Sequence, residues 1–107
     1  SMIQHITAEN YDDENGNPAG GFVLATGLTI AWQDGPLGRG ADRKEPNGAF
    51  VETVLEAALQ RLRYYNAGKF ASRENSLAIT KIEEALHWLN ARTADRERRE
   101  VEGTHQA

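Results

Sequence analysis

Two apolar stripes at helical spacing, joined by a connector of about six residues, constrain this fold more than any other feature of the sequence. The first stripe predicts a helix with its N-cap at Asn47 and its end at Asn66-Ala67-Gly68. Ser72 caps a second helix, which runs to Arg96 or beyond. Because the connector is short, we expect an antiparallel helical hairpin. The stripes comprise Phe50, Val51, Val54, Leu55, Ala58, Leu62 and Tyr65 in the first helix, and Ala78, Ile79, Ile82, Ala85, Leu86 and Leu89 in the second.

A second apolar strip, formed by Leu77 and Trp88, lies on the second helix. At about 100° per residue, both side chains point well away from the main stripe of that helix. Since the main stripe is expected to pack against the first helix, this strip needs another surface to cover it. Two alternatives stay open: the strip packs on the sheet of the same chain, or it packs on a second subunit.

The residues before the hairpin carry the signals of strands and turns. Ile3 to Thr7 predicts a short strand, whereas Asn10 to Gly21 consists of turn-forming residues throughout. Phe22 to Gln33 alternates as a half-buried strand does, and Gly27 marks a bulge or a turn that splits it. Asp34 to Gly48 follows as a Gly- and Pro-rich loop.

The length and the lack of cysteine narrow the class of protein. A chain of 107 residues supports one compact domain with a small core, so oligomerisation would help to stabilise it. Without cysteine there is no disulfide scaffold, no thiolate-bound zinc or iron–sulfur cluster and no cysteine nucleophile. The longest apolar run, Phe22 to Trp32, is too short to cross a bilayer, and no apolar leader opens the chain. We therefore expect a soluble protein of a reducing compartment.

The net charge of −4 conceals a segregation of charges. Residues 1–47 carry the whole acidic excess, because residues 48–107 contain as many basic as acidic side chains. Four arginines crowd together near the end, at positions 92, 96, 98 and 99. A net-acidic protein is a poor non-specific DNA binder, but such a cluster can hold a small phosphorylated ligand.

Four polar or aromatic residues on the hairpin suggest a nucleotide site. Tyr65 ends the first helix, Asn75 opens the second, and Arg92 and Arg96 lie at the edge of the apolar stripe. Asn75 and Arg92 are about 25 Å apart along one helix, so they share a small ligand only in a two-fold dimer of hairpins. Such a pocket offers an aromatic plane, an amide and two guanidiniums. The structural alternative is a surface arginine pair bridged to nearby acids.

The other motifs give weaker signals. The loop Gly35-Pro-Leu-Gly-Arg-Gly40 is either an anion nest, with Arg39 or Arg43 for a phosphate, or an ordinary connector. The strings Glu84-Ala-Leu-His87 and Glu102-Gly-Thr-His105 have a metal-ligand spacing but lack further inward acids, so we expect no metal site. The three histidines lie in different elements and provide no acid–base pair, so we expect no catalysis.

Several stretches resemble the first Thoeris anti-defence family of phage proteins. They are Trp32-Gln-Asp-Gly-Pro36, Asn47-Gly-Ala-Phe50, Lys69-Phe-Ala-Ser-Arg-Glu-Asn75 and the run from Ala78 through His105. The helical part is similar in plan to the hairpin domain shared with the phage anti-CBASS sponge proteins. The resemblance implies an α+β fold, with a small N-terminal antiparallel sheet followed by a C-terminal two-helix hairpin, in a homo-oligomer. One domain would span residues 1–107, with strands and loops in 1–46 and the hairpin and tail in 47–107.

The resemblance also implies a function. Proteins of this kind are sponges, which bind cyclic nucleotide second messengers of bacterial immunity and hold them uncleaved in the host cytoplasm. The ligands implied are cyclic ADP-ribose isomers of Thoeris and, for some members, CBASS cyclic oligonucleotides. The assembly implied is a dimer or a hexamer. No cofactor, DNA or membrane is implied as a partner.

The residue roles follow from the same resemblance. Tyr65 stacks a base, Asn75 lines the pocket, Arg92 and Arg96 bind phosphates, and a front-loop arginine corresponds to Arg39 or Arg43. A second pocket, present in a hexamer, is assigned to Arg73, Arg99, Gly103 and Thr104. Glu100 stands where the family pattern has glycine, and its carboxylate would repel phosphate at that second pocket.

Two other classes of function stay open. One is an enzyme that cleaves the same messengers, and the fate of the ligand distinguishes it from a sponge. The other is a helical-hairpin adaptor that binds protein through Leu77 and Trp88. For an adaptor, changes at Tyr65 or Arg92 would leave the activity unchanged.

Overall fold

The computed structural model describes residues 3–98, which fold as α+β in the predicted order. Two compact units divide them, one up to Phe50 and the other from Val51 onward. The elements are β1 (Thr7–Asp12), β2 (Pro18–Ala25), β3 (Leu28–Ala31), a 3-10 turn (Gly40–Asp42), α1 (Val51–Asn66) and α2 (Arg73–Arg98). The single-domain prediction stays a prediction, and so does the oligomer.

The sheet is a three-stranded antiparallel meander with β2 at its centre. Phe22 of β2 pairs with Ala31 of β3, and Val23 pairs with Ile30. Ile30 is the one buried hydrophobic residue in the described part of this unit, with 8% of its surface exposed. The predicted strand signal in Phe22 to Gln33 is therefore confirmed, and Gly27 lies in the turn that splits it, with a φ of 75°.

The first strand and turn differ from the prediction. The prediction of a strand from Ile3 to Thr7 was wrong, because β1 begins only at Thr7. The prediction of turn throughout Asn10 to Gly21 was also wrong at both ends, since β1 extends to Asp12 and β2 begins at Pro18. The turn itself is short because the Asp13 carboxylate accepts main-chain N–H groups two and four residues later, at 2.8 and 3.0 Å.

The close approach of β1 and β2 explains why turn-forming residues occur within a strand. A Cβ on Gly21 would lie within 2.5 Å of the Glu9 carbonyl oxygen, so only glycine fits there. Across the same strand pair, the Tyr11 and Phe22 rings pack at 6.4 Å between centroids. Partial desolvation, then the hydrogen bond to Glu9 and its charge, raise the pKa of the Tyr11 hydroxyl.

The first helix ends where the sequence predicted but begins later. Asn47 was wrong as an N-cap, because α1 begins at Val51 and the Asn47 side chain bonds to Asp34 instead. The predicted stripe was also shifted around the helix. It omitted Leu59, which is only 2% exposed, and included Val51, which is 51% exposed. Leu55 and Leu62, which the predicted stripe included, lie on the buried face with Leu59, so the prediction was right for part of that face.

The second helix agrees closely with the prediction. Ser72 caps it, since its Oγ accepts the Asn75 N–H at 3.0 Å. All six positions of its main stripe are buried or half-buried, and Leu86 is only 8% exposed. Leu77 and Trp88 lie off that stripe, 46% and 71% exposed.

The two helices pack as an antiparallel hairpin. Asn66 near the end of α1 donates to the Ser76 Oγ near the start of α2 at 3.0 Å, and Arg63 pairs with Glu83 at 2.9 Å. The contact residue earlier in α1 therefore pairs with the contact residue later in α2, as antiparallel packing requires. In the described part of the chain, neither helix combines the length and hydropathy needed to span a membrane.

Candidate functional site

A groove of about 490 Å³ lies at the tip of the hairpin, where α1 turns toward α2. It contains Tyr65, the predicted base-stacking residue. Seven residues line it, namely Arg61, Tyr64, Tyr65, Ala67, Gly68, Lys69 and Phe70. Two of these are basic and none is acidic, so the lining favours an anionic ligand.

Arg61 and two tyrosines form one wall of the groove. The Arg61 guanidinium carbon lies 4.9 Å from the centre of the Tyr65 ring and 5.1 Å from that of Tyr64. Its Nε–H also donates to the Tyr65 hydroxyl at 3.2 Å, while the two rings are 6.0 Å apart and tilted by 51°. This arrangement is a cation–π cluster that fixes the orientation of the Tyr65 ring.

The connector supplies the other wall. Lys69 Nζ lies 5.6 Å from the centre of the Phe70 ring, which is 67% exposed. The Asn75 side chain does not line the groove, but its Nδ2 donates to the Phe70 carbonyl oxygen at 3.1 Å. Asn75 therefore ties the connector to the first turn of α2 and positions Phe70 beside the groove.

Local hydrogen bonds explain why the connector folds this way. The Ala67 N–H donates to the Arg63 carbonyl at 3.0 Å, and the Gly68 N–H donates to that of Tyr65 at 3.2 Å. Asn66 then accepts the Ser72 N–H on its Oδ1 at 3.0 Å, which joins the end of α1 to the cap of α2. Main-chain bonds and the Asn66 side chain together hold the tip, so the aromatic side chains project from a fixed frame.

The chemistry of the groove fits a nucleotide. Exposed aromatic faces stack on nucleobases, and each such contact contributes about 1–3 kcal/mol. The basic side chains beside them, Arg61 and Lys69, can bind phosphate oxygens. Phe70, Tyr64 and Tyr65 are all exposed, at 67%, 62% and 37%, so a ligand can reach them.

The structure does not bring Arg92 and Arg96 to this groove. Both lie near the far end of α2, an unbroken helix of 26 residues. The 17 residues from Asn75 to Arg92 correspond to about 25 Å, as the sequence predicted. Arg92 is exposed and Arg96 is half-buried, while Arg98 forms an ion pair with Asp95 in the same turn.

The remaining predicted residues lie in several places. Arg39 and Arg43 flank the 3-10 turn in the loop of the sheet unit, and an Arg43 Nη1–H donates to the Gly38 carbonyl at 3.4 Å. Arg73 is exposed at the start of α2. The other second-pocket residues, Arg99, Gly103 and Thr104, lie outside the described residues, and so does Glu100.

Sequence reasoning missed most of the groove. Arg61, Tyr64, Lys69 and Phe70 were not assigned to it, although Lys69 and Phe70 lie in a stretch that carries the family resemblance. The spacing of Arg61 and Tyr65, four residues apart on one helix face, could have indicated their contact. The metal-like string at Glu84 and His87 is exposed, and Glu84 pairs with Lys81 at 3.8 Å.

Comparison with known proteins finds relatives of this hairpin. A family model described as the Acb2/Tad1 hairpin domain matches residues 27–94. A relative named Thoeris anti-defense 1, from Bacillus phage SBSphiJ7, is 48% identical over 78 residues, which are 73% of this chain and 52% of the relative. The chain thus spans about half the length of that curated relative. The segment matched by the family model includes the whole tip groove and Arg92.

Proposed function

The chain belongs to the family of the Acb2/Tad1 hairpin domain, and on that premise we propose that it is a phage anti-defence sponge. It binds cyclic nucleotide second messengers of bacterial immunity and holds them uncleaved, so that their effectors are not activated. The first ligands to consider are cyclic ADP-ribose isomers, as in Thoeris defence, and the next are CBASS cyclic oligonucleotides. It acts in the cytoplasm of the infected host, without a cofactor and without DNA or membrane as a partner.

The groove at the hairpin tip is the observation that carries this proposal. It combines exposed aromatic rings with basic side chains, and none of its lining residues is acidic. The ordered contact between Arg61 and Tyr65 supports a site that is formed before the ligand arrives. A preformed site loses less entropy on binding, which favours the tight and slowly released complex that sequestration needs.

A second copy of the chain completes the pocket in this proposal. The tip of one protomer holds Tyr65 and Asn75, and its own Arg92 and Arg96 are too distant to share the ligand. In a two-fold dimer, Arg92 of the partner subunit and Arg96 of the partner subunit would bind the phosphates at each tip. The dimer would therefore contain two identical pockets. A strict monomer in light scattering would contradict this part of the proposal.

Ligand binding by matched variants tests the proposal. Purified protein is screened by thermal shift against cyclic ADP-ribose isomers, cyclic dinucleotides and cyclic trinucleotides, and affinity for the best ligand is measured by calorimetry. We expect Tyr65→Ala and Arg92→Ala each to weaken binding by about ten- to hundredfold, because a base–aromatic stack contributes about 1–3 kcal/mol and a charge-assisted contact about 1.5–3 kcal/mol. Tyr11→Ala and Lys81→Ala remove the same kinds of side chain elsewhere and should leave affinity unchanged.

The same measurements also distinguish a sponge from a protein-binding adaptor and from an enzyme. No stabilisation by any of these compounds would count against a sponge. Anti-defence activity that survives Tyr65→Ala and Arg92→Ala but is lost on Trp88→Ala would favour a protein-binding adaptor, because Trp88 is 71% exposed. Recovery of a linearised nucleotide from the calorimeter cell would favour an enzyme that cleaves the messenger.

A further inference from the structure

The tip groove contains two cations, and each of them contacts an aromatic side chain. Arg61 lies on α1, and Lys69 lies on the connector that follows this helix. Both side chains are exposed to solvent. In the described part of the chain, neither cation is paired with a carboxylate, so both charges are available to an anionic ligand.

Arg61 bridges two tyrosine rings of its own helix. Its guanidinium carbon is 5.1 Å from the centre of the Tyr64 ring and 4.9 Å from that of Tyr65, while the two ring centres are 6.0 Å apart. Because the two contact distances are nearly equal, the guanidinium contacts both rings at once. These contacts follow from the sequence, since residues three and four positions apart meet on one face of a helix.

The Tyr65 hydroxyl gives Arg61 a directional contact as well. The Arg61 Nε–H donates to that hydroxyl oxygen at 3.2 Å. The end of α1 is held by its main chain, where the Gly68 N–H donates to the Tyr65 carbonyl oxygen at 3.2 Å, but such a bond does not set side-chain torsions. An exposed tyrosine otherwise occupies several rotamers, so the orientation of this ring depends on Arg61, which contacts both its face and its hydroxyl.

Lys69 is arranged differently. Its Nζ lies 5.6 Å from the centre of the Phe70 ring, which is 67% exposed. A cation–π contact uses the charge of an ammonium group without taking up its N–H groups as hydrogen-bond donors. Among the described residues, no hydrogen bond uses this ammonium group. Its donors are therefore available to a phosphate beside an exposed aromatic plane.

We infer that the two cations have different roles: Arg61 positions the Tyr65 ring, and Lys69 binds a phosphate of the ligand directly. The inference rests on the proposed function, and the ligand contact follows from the groove that both side chains line. Arg61 is a positioning residue because it keeps the ring in one orientation, and a base that stacks on an ordered ring loses less entropy on binding. Lys69 places a positive charge beside Phe70, where it attracts the phosphate that flanks a stacked base.

A double-mutant cycle separates the two roles, with affinity for a cyclic ADP-ribose isomer measured by calorimetry. We expect Arg61→Ala to weaken binding about tenfold, and to cause no further loss in a Tyr65→Ala background, because no ring is left to position. Lys69→Ala should weaken binding about tenfold in both backgrounds, since its contact does not pass through Tyr65. An equal loss for Arg61→Ala in both backgrounds would overturn positioning, and a loss for Lys69→Ala that disappears with Tyr65 would overturn a direct contact.

Matched controls come from the same hairpin. Arg63 lies on α1 and pairs with Glu83, Lys81 lies on α2, and neither cation lines the groove. Arg63→Ala and Lys81→Ala should leave affinity unchanged, and a tenfold loss for either would mean that net charge controls binding. Arg61→Lys keeps the charge but not the planar group, so it should lose about as much affinity as Arg61→Ala. Full affinity in Arg61→Lys would overturn the positioning role.

Fluorine NMR of protein labelled with fluorotyrosine reports the order of the Tyr65 ring without a ligand. The chain contains three tyrosines, and Tyr65→Phe identifies the resonance of this residue. We expect its transverse relaxation to slow in Arg61→Ala, because a ring that moves freely relaxes more slowly, and to be unchanged in Arg63→Ala. Unchanged relaxation in Arg61→Ala would overturn the positioning role whether or not a ligand binds.

The failure of the inference is distinguishable from that of the proposed function. If the wild-type protein binds no cyclic nucleotide, the proposed function and both ligand roles fail together. If it binds one and the variants at Arg61 and Lys69 keep full affinity, the sponge stands and only the two roles fail.

Discussion

Replacing Leu59 by alanine should destabilise the hairpin far more than the same change at Leu77. Leu59 is 2% exposed, whereas Leu77 is 46% exposed. A buried leucine loses its transfer free energy and leaves a cavity, which together cost about 2–5 kcal/mol. The half-exposed Leu77 loses about half of a transfer term of about 2 kcal/mol, or about 1 kcal/mol. We expect Leu59→Ala to lower the free energy of unfolding by about 3 kcal/mol.

Urea denaturation followed by helical circular dichroism measures both variants. With an m-value of about 2 kcal/mol/M, the midpoint should fall by about 1.5 M for Leu59→Ala and by about 0.5 M for Leu77→Ala. Both variants remove the same atoms from a helix, so differences in helix propensity cancel. The measurement is made at two protein concentrations, because binding to a second copy would make the midpoint concentration-dependent.

Two results would refute the reasoning. A loss below about 1 kcal/mol for Leu59→Ala would mean that its side chain is not packed between the helices as described. A loss for Leu77→Ala as large as that for Leu59→Ala would mean that another surface covers Leu77. If that loss grew with protein concentration, the cover would be a second subunit.

Further predictions concern two local features. Ser72→Ala removes the cap of α2 and should cost about 1 kcal/mol in thermal or urea unfolding, whereas Ser72→Asp should restore most of that loss. Gly48→Ala places a Cβ 2.5 Å from main-chain atoms and should lower the melting temperature. Gly20→Ala, with its nearest neighbour at 3.4 Å, is the control and should melt near the wild type; equal shifts for both glycines would contradict the close approach.

The helical half of the fold was predictable because its signals are local. The serine cap, the Asn66-Ala67-Gly68 ending and the apolar stripe of α2 each act within one or two turns of helix. The structure confirms all three. The buried face of α1 was harder to place, because the register of the stripe depends on which face meets α2. Leu59, omitted from the prediction, is the most buried side chain of that helix.

The sheet was less predictable because its pairing is long-range. All six residues of β1 are exposed, so no alternation of apolar and polar residues marks the strand. Gly20 and Gly21 look like turn residues, but the second is needed for the approach of Glu9. Asn47 looked like a helix cap, and its actual partners lie 13 and 14 positions earlier in the chain.

The candidate site was predicted in part. Tyr65 lies in the tip groove, and Asn75 lies beside it, but the prediction did not include Arg61, which stacks on two tyrosines. Two stretches that carry the family resemblance, around Gln33 and Asn47, are joined by a hydrogen bond from the Asn47 N–H to the Gln33 side chain. Only the structure shows that they meet, since 14 residues separate them.

The fate of the bound ligand tests the central claim most directly. The protein is incubated with a cyclic ADP-ribose isomer at a slight excess of binding sites, and free ligand is removed by filtration. The complex is then denatured by heat, and the released nucleotide is analysed by chromatography and mass spectrometry. We expect almost no free ligand before heating and nearly full recovery of the intact cyclic molecule afterwards. A linear product, or ligand that passes the filter unbound, would contradict the account.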